Sequence, residues 1–166
     1  MKVVSSYGVE IKKQNIPIRH TLYIYRQAVG YLIRVYEESW EELSRIVNLQ
    51  KRFNAAEHLV HSTKKNRARY DFDQKFPKMP SYLRRSAIQH ALGSVSSYET
   101  RLELWKQKKL DGKPKFVYEN HAMPVFYRDV MYKEAEDQPD RAFLKLYDGH
   151  DWKWFSVNLL HTDMEY

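Results

Sequence analysis

The 166-residue chain predicts an α+β fold, a bundle of three to four helices inserted into a small, mostly antiparallel β-sheet or partial barrel. Three observations carry this reading. Residues Tyr7 to Lys12 alternate apolar and polar with period two, as a half-buried strand does. Between Thr21 and Tyr36 apolar residues recur at three- and four-residue spacing, the stripe of an amphipathic helix. Beyond Lys113 the composition turns aromatic and β-branched, which suits a pleated, half-buried surface. The boundaries expected are an N-terminal strand in 1–18, a helical domain in 19–110, and the remaining strands in 111–166.

Each element has its own signal. Pro17 punctuates the chain after the first strand, and Leu22, Tyr25, Val29, Leu32, Ile33 and Tyr36 define the first helix. Ser39-Trp40-Glu41-Glu42 has the form of a capping box, in which serine and glutamate each satisfy a free backbone amide of the other. A second helix is expected from there to about His61, burying Leu43, Ile46, Val47, Phe53 and Leu59. Residues 63–80 are polar and basic and end in two prolines, so they read as a connection. A third helical region runs from Ser81 to about Lys109. Gly93 in its interior costs roughly 1 kcal/mol against alanine, and predicts a kink or a close contact. Asp111-Gly112-Lys113-Pro114 ends the helical half. Strands are expected at Lys115–Tyr118, Val125–Tyr127, Phe143–Tyr147 and Trp152–Leu160, with Asp148-Gly149-His150-Asp151 as a hairpin turn. The acidic residues Asp129, Glu134, Glu136, Asp137 and Asp140 read as a solubilising loop.

Composition narrows the function. There is no cysteine, which excludes disulfides and thiolate metal sites and fits a reducing cytoplasm. The N-terminus lacks the apolar core of a signal peptide, and no apolar run is long enough to span a bilayer, so no membrane partner is expected. Net charge is +7 and unevenly spread. Residues 1–110 hold 21 Lys and Arg against 10 Asp and Glu, whereas 111–166 hold 7 against 11. Such asymmetry points to a polyanion partner for the basic half, the alternative being a solvated basic face.

The basic residues fall in two groups. Lys64, Lys65, Arg67 and Arg69 lie in the polar connection with Tyr70 and Phe72 interleaved, a mixture suited to phosphate contact and base stacking. Arg84 and Arg85 stand near the start of the third helix, where a cation opposes the helix dipole and an anion would relieve it. Pairing with acids elsewhere in the fold is the alternative for both. Ser94, Ser96 and Ser97 offer hydroxyls to phosphate or ribose, or simply permit tight helix packing, and Arg101 follows on the same helix. Tyr98 and Trp105, seven apart, read as core. His58 and His61 share a helical face without a third metal ligand nearby, so no metal or other cofactor is expected.

The segment Pro80–Trp105 also resembles a known family. Pro80, Ser81, Arg84, Arg85, Ala87, Ile88, Gly93, Ser96, Ser97, Tyr98 and Trp105 follow a pattern similar to that of TnpB/OrfB-type proteins, which bacterial transposons encode and which are related to the type V CRISPR nucleases. The resemblance implies that the strand–helices–strands order corresponds to a wedge domain interrupted by a helical recognition domain. It further implies a chain that holds guide RNA and the guide–target heteroduplex through backbone and shape. Family nucleases cut DNA with a metal-dependent RuvC-like half, which the resemblance does not reach in these residues, and many carry a cysteine zinc motif that this chain cannot form. The expectation is therefore a non-catalytic nucleic-acid-binding module, with structured RNA or DNA as partner and a separate chain for any cleavage. Thr162–Tyr166 would mark the junction with such a half. Two alternatives stay open: a protein-interaction module with a basic helical face, and a vestigial transposase fragment. A small hydrolase using the acidic residues near 129–151, tested at Asp148 and Asp151, is a third, weaker rival.

Overall fold

The computed structural model describes residues 10–116, 118 and 120–160. It contains five helices, α1 (Ile18–Glu38), α2 (Trp40–Ser44), α3 (Leu49–Val60), α4 (Phe72–Lys75) and α5 (Ser81–Lys106), followed by strands β1 (Tyr132–Ala135), β2 (Gln138–Tyr147) and β3 (Trp152–Asn158). The fold class is α+β. Two compact units form: one from the described residues up to Thr21 and from Phe126 onward, the other from Leu22 to Val125.

In the helical unit the stripe read from the sequence is the core. Tyr25, Val29, Leu32, Ile33 and Tyr36 of α1 are buried, as are Leu83, Ala87, Ile88, Ala91 and Val95 of α5 and Ala56, Leu59 and Val60 of α3. Two tyrosine hydroxyls within this core are paired. The Tyr25 and Ser86 hydroxyls lie 2.9 Å apart, and the Tyr36 hydroxyl donates to the Ala56 carbonyl.

The helix expected from Ser39 to His61 is two helices. Asn48 breaks it, because its side chain accepts from the Lys51 amide and caps α3. Arg52 reaches back to the Ile46 and Ser44 carbonyls, satisfying the end of α2. Val47 and Leu49, flanking that cap, are 88% and 75% exposed, so Val47 is not a core residue. The capping box does not form either. Ser39 makes no side-chain cap, and its buried hydroxyl pairs with that of Tyr70 at 3.1 Å. Glu42 instead accepts from Arg69 at 3.0 Å.

The 63–80 connection contains α4, whose Phe72 is fully buried beside Phe76 and Met79. α5 runs unbroken through Gly93, which is exposed and would meet nothing within 4 Å if it carried a Cβ. The close contact expected at Gly93 occurs at Gly30 instead. A Cβ there would lie 3.3 Å from the Tyr118 carbonyl.

The sheet is an antiparallel meander in the order β1-β2-β3. The acidic loop of the sequence reading is in large part β1, a two-residue turn at Glu136-Asp137, and the start of β2. Lys115–Tyr118 and Val125–Tyr127 are not strands among the described residues, Val117 lying outside them. Lys115, Phe116, Tyr118 and Asn120 belong with the helices, and the Tyr127 carbonyl instead accepts from Met131 in a turn. Of the N-terminal strand, Tyr7 to Val9 lie outside the described residues, as do Thr162–Tyr166. Ile11 pairs antiparallel with Leu159, and the Lys12 amide donates to Asn158 at 2.9 Å, so the first segment joins the last strand. A small core of Ala142, Val157 and Leu159, with Ile16, Tyr132 and Leu144 against it, lies on this side of the sheet.

The hairpin turn 148–151 forms as the sequence indicates. One carboxylate oxygen of Asp148 accepts from the His150 and Asp151 amides, each at 2.9 Å. The other accepts from Lys153 at 2.6 Å. Gly149 supplies the positive φ of 105° that a side chain would strain.

Candidate nucleic-acid interface

The connection after α3 is an ordered turn. Thr63 and Asn66 exchange backbone hydrogen bonds, at 2.8 and 3.3 Å. The Asn66 side chain donates to the His58 and His61 carbonyls, closing the C-terminal end of α3. Asp73 accepts from the Ser62 amide at 3.0 Å and pairs with the His61 ring at 2.9 Å, pinning α4 to the base of the turn. His61 thus has a carboxylate partner, and among the described residues no group of His, Asp and Glu is arranged to hold a metal ion.

This scaffold sorts the basic residues. Lys64, Lys65 and Arg67 are exposed, and among the described residues none has a carboxylate within salt-bridge distance. Arg69 and Tyr70 differ. The backbone amides of both donate to the Leu59 carbonyl, and their side chains hold Glu42 and Ser39. They staple the connection to α2 and the end of α1.

Of the arginine pair of α5, Arg84 is buried and Arg85 is exposed, and both lie beside Glu57. Arg84 is 9% exposed and donates to Glu57 of α3 at 3.4 Å, while its Nε is buried without a partner. Arg85 approaches the other Glu57 oxygen at 3.9 Å and lies over the Phe53 ring. The relief expected from a bound anion at this helix start is supplied by Glu57 within the fold.

Further along α5, Ser94, Ser97 and Arg101 do come together. With Ile33, Tyr98, Lys115, Phe116 and Asn120 they line a cleft of about 290 Å³. Its far wall is Lys115, Phe116 and Asn120, in a region where a strand was expected at Lys115–Tyr118. Three observations explain why the wall lies here. Gly30 lets its backbone approach α1. The Asn120 side chain donates to the Arg26 carbonyl and accepts from the Ala122 amide. The Tyr118 hydroxyl donates to Glu37 at 2.6 Å, and Arg34 lies over its ring. That carboxylate raises the Tyr118 pKa, so the phenol stays a donor. Phe116 meets Tyr98 edge-on at 4.5 Å, which makes Tyr98 a cleft wall as well as a packing residue. Lys115, Phe116 and Asn120 were missed as site residues, and the one signal for them was the glycine at 30 in an otherwise strong helix.

The exposed turn and the cleft both lie within a span that has a recognised family pattern: residues 5–148 match the Aq_aa04 family. The chain belongs to the Aq_aa04 family. The Aq_aa04 span takes in all five helices, β1 and β2 and ends before β3. No curated protein and no solved structure matches the chain. Among the described residues no helix is long and apolar enough to cross a membrane.

Proposed function

We propose that this Aq_aa04 protein is a non-catalytic nucleic-acid-binding module whose helical unit grips a phosphate backbone. The observation that carries the reading is the 63–66 turn. It presents Lys64 and Lys65 to solvent on a hydrogen-bonded backbone, with exposed Arg67 directly after it and no carboxylate paired to any of the three among the described residues. Cations already held in ion pairs add little to polyanion affinity, whereas free ones release counterions on contact. Arg69, Arg84 and Arg85 are of the first kind and form the support. The similarity of Pro80–Trp105 to TnpB/OrfB-type recognition segments supports the same reading, with structured RNA or DNA as partner and any cleavage supplied by a separate chain. The cysteine-free composition suits a cytoplasmic setting.

The test is binding of structured RNA and duplex DNA across a salt series, for the native protein and for Lys64→Glu/Lys65→Glu/Arg67→Glu. The native protein should show a steep fall in affinity with salt. The variant should lose about 2 to 3 from the log–log slope, given roughly 0.7–0.9 per phosphate contact. Weak binding that is equal in the two proteins would remove the reading.

A further inference from the structure

We propose that the cleft between α5 and Lys115, Phe116 and Asn120 takes the terminal phosphate monoester of a nucleic-acid strand, a subsite distinct from the 63–66 turn. The inference rests on the nucleic-acid reading and sharpens it. Two cations, Arg101 and Lys115, line the cleft, and neither has a carboxylate in salt-bridge distance among the described residues. No acidic residue is among those lining it. The hydroxyls are not equivalent. Ser94 donates back to the His90 carbonyl at 3.0 Å, whereas Ser97 has no such bond among the described residues and can donate into the cleft. Asn120 is spent on α1 and serves as wall.

Charge and size select the ligand. A backbone phosphodiester brings one negative charge and would leave one of the two cations unmatched. A phosphate monoester brings about −1.5 to −2 at neutral pH and three acceptor oxygens, matching two cations and a hydroxyl. The volume lies at the bottom of the roughly 300–1,000 Å³ range of ligand pockets, enough for a strand end and too small for a duplex. The aromatic pair Tyr98 and Phe116 gives the attached nucleoside an apolar wall. The exposed turn, by contrast, has no enclosure and suits passing phosphodiesters.

The experiment compares one short single-stranded RNA bearing a phosphate or a hydroxyl at each end, with adenosine monophosphate as the free-nucleotide probe. The phosphorylated strand should bind about tenfold or more tightly than the hydroxyl strand, from charge-assisted contacts. That preference should vanish in Arg101→Ala/Lys115→Ala, and also in Ser97→Asp, which keeps both cations but adds a carboxylate. The Lys64/Lys65/Arg67 variant should weaken both strands and keep the preference. Equal affinity for the two strands in the native protein would overturn the inference and leave the backbone-gripping module standing. Adenosine monophosphate binding that depends on Arg101 and Lys115, with no strand binding at all, would sink the nucleic-acid reading and identify a free nucleotide as the cleft's ligand. No binding of any probe would sink both.

Discussion

Two residues show how local chemistry decides stability. Gly93 sits exposed in the interior of α5 with open space where a Cβ would go. Its conformational freedom in the unfolded chain is therefore an uncompensated cost. Gly93→Ala should stabilise the protein by about 0.5–1 kcal/mol, read as a rise in denaturant midpoint; a fall would mean that the glycine has a role outside the helix. Asp148 is the opposite case. The Lys153 ammonium, and then the Asp151 and His150 amides, hold its carboxyl well below the usual carboxylate range. A depressed folded value stabilises the protein above the unfolded Asp value of about 3.9, and this contribution fades as pH falls through the folded value. The difference in melting temperature between native protein and Asp148→Asn should be full near pH 6 and shrink below about pH 4. A gap that stays constant down to pH 2 would show that the charge does not contribute. The same bonds make Asp148 a turn residue, occupied on both oxygens.

At the scale of elements, strong periodicity was legible and competition between partners was not. α1 could be read from its stripe because Tyr25, Val29, Leu32, Ile33 and Tyr36 all face one core. The break between α2 and α3 was hidden because Ser39 and Glu42 suit a capping box, while Arg69 and Tyr70, far along the chain, claim both side chains. Asn48 carried the true signal. Asn48→Ala should cost about 1 kcal/mol and loosen α3 first, visible as faster amide exchange at Lys51; an unchanged rate would mean that the cap contributes nothing. Aromatic richness misassigned Lys115, Phe116 and Tyr118, since aromatics pack equally well on a helix. Of the site, the basic turn was legible from charge and the cleft only by half. Ser94, Ser97 and Arg101 follow one another at three- and four-residue spacing on α5, but the facing wall depends on a tertiary contact at Gly30. Charge alone also could not separate Arg84 from Lys64. That distinction follows from Glu57, placed one helix away.

For the whole molecule, the division into two units separates two kinds of work. The basic, site-bearing residues lie in 22–125, and the sheet is closed by pairing between chain segments near its two ends. Lys12→Pro removes the amide that donates to Asn158. The expected result is faster exchange across β3 and a loss of about 1 kcal/mol from the sheet unit, with α5 exchange unchanged. Equal loosening of α5 would show that the two units unfold together. The Thr21 hydroxyl accepts from the Tyr147 amide across 126 positions of sequence. On the ribosome this has a direct consequence. Leu22–Val125 can form its own core as it emerges, whereas the first segment must wait with unpaired backbone until β2 and β3 have been synthesised. The vulnerable moment in biosynthesis is therefore late, and a chaperone would find the open strand edge of the sheet unit rather than the helices.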